Sequence, residues 1–334
     1  MRVIELQNAF GIDNLAPAER PEPKPGPGQV VLKMRAVSLN YRDLLVVKGL
    51  YNPKLRLPLV PLSDGAGEIA AVGEGVTRVK VGERVAGLFM QKWLAGEVNE
   101  EIAKSSLGGG GTGMLAEYVA LHEDGVVRVP DHLSDEEAAT LPCAAVTAWH
   151  ALVTEGGVKA GDTVLTQGTG GVSLFALQFG RLLGARVLIT SSSDVKLKRA
   201  LEMGASDGIN YKTTPEWDKK VRELTREGAD HVVELGGAGT LGRSLKAVRM
   251  NGRISLIGVL TGGGEVNPMP ALMKNVRIQG IYVGSREMFE AMNRAIALHR
   301  LRPVVDKVFS FEQAREAFRY LESAAHFGKI VLRP

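Results

Sequence analysis

One residue in 334 is a cysteine, Cys143, which excludes any intramolecular disulfide and suits a reducing compartment. The opening MRVIEL carries no apolar signal core, so secretion is not expected and a cytoplasmic location is. No apolar run suggests a membrane span, and no internal repeat or low-complexity tract interrupts the chain. An excess of one charge is also missing. The 41 Lys and Arg stand against 37 Asp and Glu, scattered along the sequence, and nothing in that balance calls for a nucleic-acid surface. What remains, 45% hydrophobic and 23% charged residues, is ordinary for a soluble enzyme with room for two domains.

The most informative segment is TVLTQGTGGVSLFALQFGRLLGARVLITSSSDVK, residues 163 to 196. Val164 to Thr166 has a buried-strand pattern, Val172, Phe175, Ala176, Phe179, Leu182 and Leu183 recur at helical spacing, Gly184 ends the helix, and Val187 to Thr190 makes a second strand. The turn between strand and helix, Gly168, Thr169, Gly170, Gly171 and Val172, is expected to bring backbone amides close to a pyrophosphate at the helix N-terminus. The third place of a G-x-G-x-x-G pattern is Ser173, small enough to keep the helix near the strand. This order of elements implies a dinucleotide.

An acid is lacking where an NAD-type fold often carries one to hold the ribose 2′-hydroxyl. Ser191, Ser192 and Ser193 stand there instead, with Lys196, Lys198 and Arg199 close behind. Hydroxyls and cations favour a 2′-phosphate, hence NADP(H). The same serines also suit an N-cap for the helix running to Met203, and both roles can hold at once.

Before this segment, five prolines between Pro17 and Pro27 lead into an alternating strand, Val30 to Val37. Short strands broken by glycines then run to about Val129, as in a small, curved antiparallel barrel, with Gly108 to Gly111 forming a loop inside it. After about Leu141 strands and helices alternate. Strands are expected near Ile209 and at Val232–Leu235, Ile254–Val259 and Val276–Val283; helices are expected after Thr214 and Pro215, over Leu241–Val248 and after a Ser285 cap. This is the pattern of a doubly wound parallel sheet. Ser310 and Gln313 form a capping box for a helix over Phe311–Ser323, and Lys329 to Leu332 reads as a last strand that returns to the first domain.

With AVSLNYRDLLVVKGLY (36 to 51), PLSDGAGEIAAVGEGVTRVKVGERV (61 to 85), LPCAAVTAWHAL (141 to 152), the glycine turn and the closing GKIVL (328 to 332), the chain resembles the medium-chain dehydrogenase/reductase superfamily, in its zinc-independent, quinone-oxidoreductase-like branch. The resemblance implies an α/β fold: a GroES-like, mainly β catalytic domain over 1–128 and 285–334, and a Rossmann NADP-binding domain over 129–284, with substrate and nicotinamide expected in a cleft. It also implies a homodimer or homotetramer. Zinc-dependent members hold their catalytic metal with a Cys, a His and a second Cys, beside an acid; the aligned positions here are Asn40, Ser63, Cys143 and Asp64. A thiol with an amide and a hydroxyl is a poor zinc set, and residues 89 to 113 lack the cysteines of a structural-zinc lobe. No metal is expected, and Cys143 reads as a small packed residue.

The resemblance further places Asn40, Tyr41 and Tyr51 at the substrate and nicotinamide, as donors in place of zinc. It puts Thr147 on the nicotinamide side, Tyr211 beside the adenosine phosphate, and Val259 and Leu260 near the carboxamide. Asp43 reads as orienting the backbone or Arg42, Asp64 as structural, and His150 beside Trp149 as a core histidine. The implied activity is NADPH-dependent hydride transfer to a quinone or an α,β-unsaturated carbonyl, with a small-molecule carbonyl or quinone as partner. Two alternatives stand beside it: an NADP-dependent alcohol dehydrogenase or aldehyde reductase on simple carbonyls, and an NADPH-holding RNA-binding or crystallin-like structural protein.

Overall fold

The computed structural model describes residues 1–334, which divide into two compact units: Met1–Val146 with Val283–Pro334, and Thr147–Tyr282. The division expected at 128/129 falls inside the first unit. Residues 129 to 146 belong there because the backbone N–H of Cys143 donates to Asp64 Oδ2, 3.1 Å away, and Arg84 on the first sheet bonds Asp135.

In the first unit, β1 (Arg2–Leu6) and β2 (Leu15–Glu19) form a two-stranded ribbon. β3 (Gln29–Ser38), β4 (Asp64–Val72), β5 (Arg84–Gly87), β6 (Tyr118–His122) and β7 (Val126–Arg128) come next along the chain. The second unit holds β8 (Thr163–Gln167), β9 (Arg186–Ser191), β10 (Asp207–Asn210), β11 (Ala229–Glu234), β12 (Val248–Leu256) and β13 (Arg277–Gly280). The chain then returns to the first unit with β14 (Val305–Ser310) and β15 (Lys329–Arg333).

The seven-stranded sheet of the first unit runs β14-β15-β3-β4-β5-β7, with β6 also paired to β3. Its core gathers Val3, Leu32, Ile69, Val85, Leu121 and Phe318. Two registers draw three strand ends together. Ser38 pairs with Asp64 across β3 and β4, and Val331 pairs with Ser38 across β15 and β3. The end of β3 and the starts of β4 and β15 therefore meet at one place.

The second unit is a six-stranded sheet in the order β10-β9-β8-β11-β12-β13, with every pairing parallel. Its central strands are apolar on both faces, as parallel strands covered by helices must be, and Leu165, Leu188, Val232 and Ile254 are all buried there. The order reverses between β8 and β11, the switch point at which such sheets open a crevice beyond their carboxyl ends. The helix Gly171–Leu182 packs Phe175 and Phe179 inward, and Trp149 meets the Phe179 ring edge-on at 5.4 Å. No helix is long and apolar enough to cross a membrane.

Candidate active site

Asn40 stands just before the helix Tyr41–Val47, where β3 has ended. The Asp43 carboxylate turns back to accept the Asn40 backbone N–H at 2.9 Å, which holds that corner closed. Lys329, the first residue of β15, reaches the same corner: its Nζ donates to the Leu39 carbonyl at 2.6 Å and to Asn40 Oδ1 at 2.5 Å. Lys329 is 3% exposed, and Asp43 and Asp64 are fully buried. Asp64 accepts the Ser63 hydroxyl at 2.9 Å and the Cys143 backbone N–H. The four positions aligned with a zinc site thus form one cluster, into which a lysine side chain is inserted. No group of three His, Cys, Asp or Glu side chains is placed to hold a metal.

Burial dominates the titration of this cluster. It pushes the Asp64 carboxyl up to about 6, against the pull of Lys329, of the neighbouring Asn40 amide and of the Ser63 hydroxyl bonded to it. Burial likewise raises Asp43, opposed by Arg42, Asn40 and Lys329. Desolvation and the neighbouring Asp64 push the partly buried Cys143 thiol up, which disfavours the thiolate that a metal ligand or nucleophile needs. The Asn40 amide nitrogen is buried and meets no acceptor in full hydrogen-bonding geometry, although it lies close enough to the Asp64 carboxyl to pull its pKa down.

Tyr41 and Tyr51, the other two expected donors, are 41% and 38% exposed. Tyr51 lies on Arg42: the guanidinium sits 5.0 Å from the Tyr51 ring centre and 4.9 Å from that of Phe89. Arg42 also donates to the Leu107 carbonyl at 2.7 Å, and although burial works against its charge, Asp43 and Tyr51 raise its pKa on balance. The segments around Asn40, Tyr51 and Leu107 are thereby tied together. Sequence reasoning gave Arg42 no role beyond a partner for Asp43, and gave Lys329 none at all.

In the second unit Gly168 adopts φ +74°, a left-handed turn that favours glycine, and a Cβ added at Gly168 or Gly170 would meet no protein atom within 4 Å. Gly170 caps the helix Gly171–Leu182 without any side-chain bond, so its first amides remain available. Open space over uncapped amides at the end of β8 fits a pyrophosphate. Ser173 is buried and donates from Oγ to the Gln167 carbonyl at 2.6 Å, which ties helix to strand where the pattern has its third glycine.

Ser191 ends β9, and its Oγ accepts the Ser193 N–H at 3.3 Å; Ser193 Oγ in turn caps the helix Asp194–Glu202 by accepting the Lys196 N–H at 3.4 Å. Each hydroxyl keeps its own O–H to donate. The Tyr211 N–H bonds the Ser191 carbonyl at 3.0 Å, and Gly168 N–H bonds the Thr190 carbonyl at 2.8 Å, so the glycine turn, the serines and Tyr211 share the carboxyl edge of β8, β9 and β10. Val259 and Leu260 are exposed past β12, and the Thr261 hydroxyl anchors their loop to the Gly236 carbonyl at 2.8 Å. Thr147 is buried at the start of this unit. His150 is buried as well, with Nε2 3.9 Å from Glu155.

A network absent from the sequence reading braces the switch point. Gln167, at the end of β8, donates to Glu234 Oε2 at 2.8 Å and accepts the Leu235 and Gly236 N–H groups, while Glu234 Oε1 accepts Gly236 and Gly237. Both lips of the crevice are held by these two side chains. A Gln and a Glu closing apolar strands were the available signal.

Residues 26–131 match the family model of the alcohol dehydrogenase GroES-like domain, and residues 171–297 that of zinc-binding dehydrogenases. A zinc-type alcohol dehydrogenase-like protein of Schizosaccharomyces pombe is 44% identical over 100% of this chain and 99% of its own length. The quinone oxidoreductase of Sus scrofa is 30% identical, covering 93% of this chain and 90% of its own, and the acryloyl-coenzyme A reductase of Metallosphaera sedula is 30% identical over 93% and 94%. Among solved structures, a putative alcohol dehydrogenase from Sinorhizobium meliloti superposes with a TM-score of 0.93 at 42% identity, covering 100% of this chain and 98% of that one. An NAD-dependent alcohol dehydrogenase gives 0.91 at 36% over 100% of both chains, and a mycobacterial protein complexed with NADPH gives 0.85 at 28%, again over 100% of both. The chain is an oxidoreductase of the medium-chain dehydrogenase/reductase superfamily, whose members bind a nicotinamide dinucleotide.

Proposed function

We propose that this chain is an NADPH-dependent reductase that passes hydride to a quinone or to the β-carbon of an α,β-unsaturated carbonyl, without zinc. The observation that carries the reading is the Asn40 amide nitrogen: a buried donor lacking a hydrogen-bond partner, in the cluster where zinc relatives keep their metal. NADPH, when bound, supplies the hydride. Asn40 Nδ2 donates to the substrate oxygen on which negative charge develops, and Tyr41 and Tyr51 offer further hydroxyls. Neutral donors stabilise that charge less than a metal ion does. Acceptors that spread the charge through a conjugated system are therefore favoured over simple aldehydes and ketones.

Gly168 to Val172 would cradle the pyrophosphate, Ser191 to Ser193 and Lys196 the 2′-phosphate, with Tyr211 nearby. Thr147, Val259 and Leu260 would line the nicotinamide side. At the end of β9 stands Ser191 where an NAD-type fold often carries an acid, and Asp194, three residues on, accepts from Asn210 Nδ2 in the first turn of the next helix; this supports NADP(H) over NAD(H). We also read the chain as a cytoplasmic homo-oligomer. β13 lies at an open sheet edge with all four residues exposed, Ile278 among them, and Met269, Leu272 and Met273 on the short helix just before it in the chain are exposed too; an unpaired edge with apolar surface invites a second copy.

The test is a substrate panel of quinones, enones, saturated aldehydes and alcohols, read as the change in reduced-nicotinamide absorbance. Faster oxidation of a plain alcohol than reduction of any conjugated acceptor would favour the alcohol-dehydrogenase reading. No turnover on the panel, with salt-sensitive RNA binding that competes with NADPH, would favour the binding-protein reading.

A further inference from the structure

Lys329 carries a charge into a place where a charge is costly unless paired. The pairing of β15 with β3 fixes its position, since Val331 faces Ser38 and Leu332 faces Val37, and the Leu39 N–H bonds the Ile330 carbonyl at 3.0 Å. Bonds to Leu39 and Asn40, with the two buried carboxylates Asp43 and Asp64 nearby, account for the ammonium being tolerated. They also decide how the Asn40 amide is turned. If the amide were flipped, its NH₂ would face an ammonium, donor against donor, and Lys329 would lose an acceptor. The chemistry of the partner, rather than shape alone, commits Oδ1 to Lys329 and leaves Nδ2 as a donor with no acceptor in full hydrogen-bonding geometry, Asp64 being its polar neighbour.

We propose that Lys329 is a positioning residue for the reaction: it locks the Asn40 amide with Nδ2–H available to the substrate oxygen and, through its charge-assisted bond to Oδ1, polarises that N–H into a stronger donor. The inference rests on the proposed function, because it assigns Asn40 as the donor. It gives this cluster a built-in cation that acts through an amide. Chains of hydrogen bonds strengthen one another in this sense, and most where water is excluded.

The test is a double-mutant cycle between Asn40→Ala and Lys329→Met, with a 1,2-naphthoquinone and trans-2-hexenal as probes and NADPH as donor. Asn40→Ala should lower kcat about 10²- to 10³-fold, the loss expected for one oxyanion donor, and Lys329→Met about tenfold or more, with NADPH affinity unchanged in both. The double variant should be no slower than Asn40→Ala alone, since residues acting as one unit are not additive. Lys329→Arg, which keeps the charge, should recover part of the loss. Where Lys329→Met does not bind NADPH as a folded protein, Lys329→Gln enters the same cycle.

Independent, multiplying effects of the two substitutions would overturn the proposal, as would a Lys329→Met enzyme with unchanged kcat. A structural role would lower stability without being absorbed by Asn40→Ala. If the wild-type chain reduces neither probe, the proposed function itself fails; if it does but Asn40→Ala is fully active while Lys329→Met is slow, Lys329 acts elsewhere and this inference alone fails.

Discussion

Asp64 offers a stability prediction rooted directly in its surroundings. The residue is 0% exposed and its carboxyl is held at about 6 against an ordinary value of 3.8. Burial is the largest cause, and Lys329, Asn40 and Ser63 offset only part of it. A carboxyl whose pKa is higher in the folded than in the unfolded chain takes up its proton more readily when folded. Its contribution is therefore most favourable in acid, falls as pH rises from about 4 to about 6, and is flat beyond. A shift of roughly two units at 1.36 kcal/mol each makes the loss about 3 kcal/mol. Asp64→Asn mimics the neutral form. Its Oδ1 can still accept the Cys143 N–H, and its amide can donate to Ser63.

Urea unfolding of both proteins, followed by far-ultraviolet circular dichroism at several pH values, measures the difference. Asp64→Asn should be more stable than wild type by about 3 kcal/mol near pH 8, and the gap should close toward pH 4. A variant that is less stable near pH 8, or a gap independent of pH, would refute the assignment of a strained, ionised Asp64. The prediction also separates stability from function: an ionised carboxylate kept at such a cost is one whose charge balances Lys329.

Two further outcomes are expected. Lys196→Ala should weaken NADPH binding about tenfold or more, the worth of a charge-assisted hydrogen bond, and leave NADH nearly unchanged in fluorescence titrations; equal wild-type affinities for the two cofactors would sink the NADP reading. Ile278→Asp, on the exposed edge strand β13, should shift the protein toward monomer in light scattering coupled to size-exclusion chromatography, and an unchanged mass would remove that edge as the interface.

Local chemistry made much of the fold legible. Ser285 caps the helix Arg286–His299 by accepting the Met288 N–H, and Ser310 with Gln313 forms the expected capping box. That helix begins as a 3-10 turn, Phe311–Gln313, and continues as Ala314–Glu322. β13 is shorter than the strand expected over Val276–Val283: it pairs with β12 alone, and the last bond between them runs from the Ile281 N–H to the Leu256 carbonyl at 2.9 Å. The hidden features depended on long-range register. Nothing around Lys329, at the head of KIVL, marks it as buried, and its burial emerges only from the pairing of β15 with β3, some 290 residues away. The bracing of Arg42 by Tyr51 and Phe89, and of Gln167 by Glu234, is hidden for the same reason.

On the proposed function, neutral donors around Asn40 suffice for hydride transfer only when the acceptor delocalises charge. Comparing kcat/KM for trans-2-hexenal with that for hexanal, using NADPH and protein whose zinc content has been measured, tests it most directly. Zinc-free protein should strongly prefer the conjugated aldehyde. Equal rates on the two, or activity that rises with bound zinc, would contradict it.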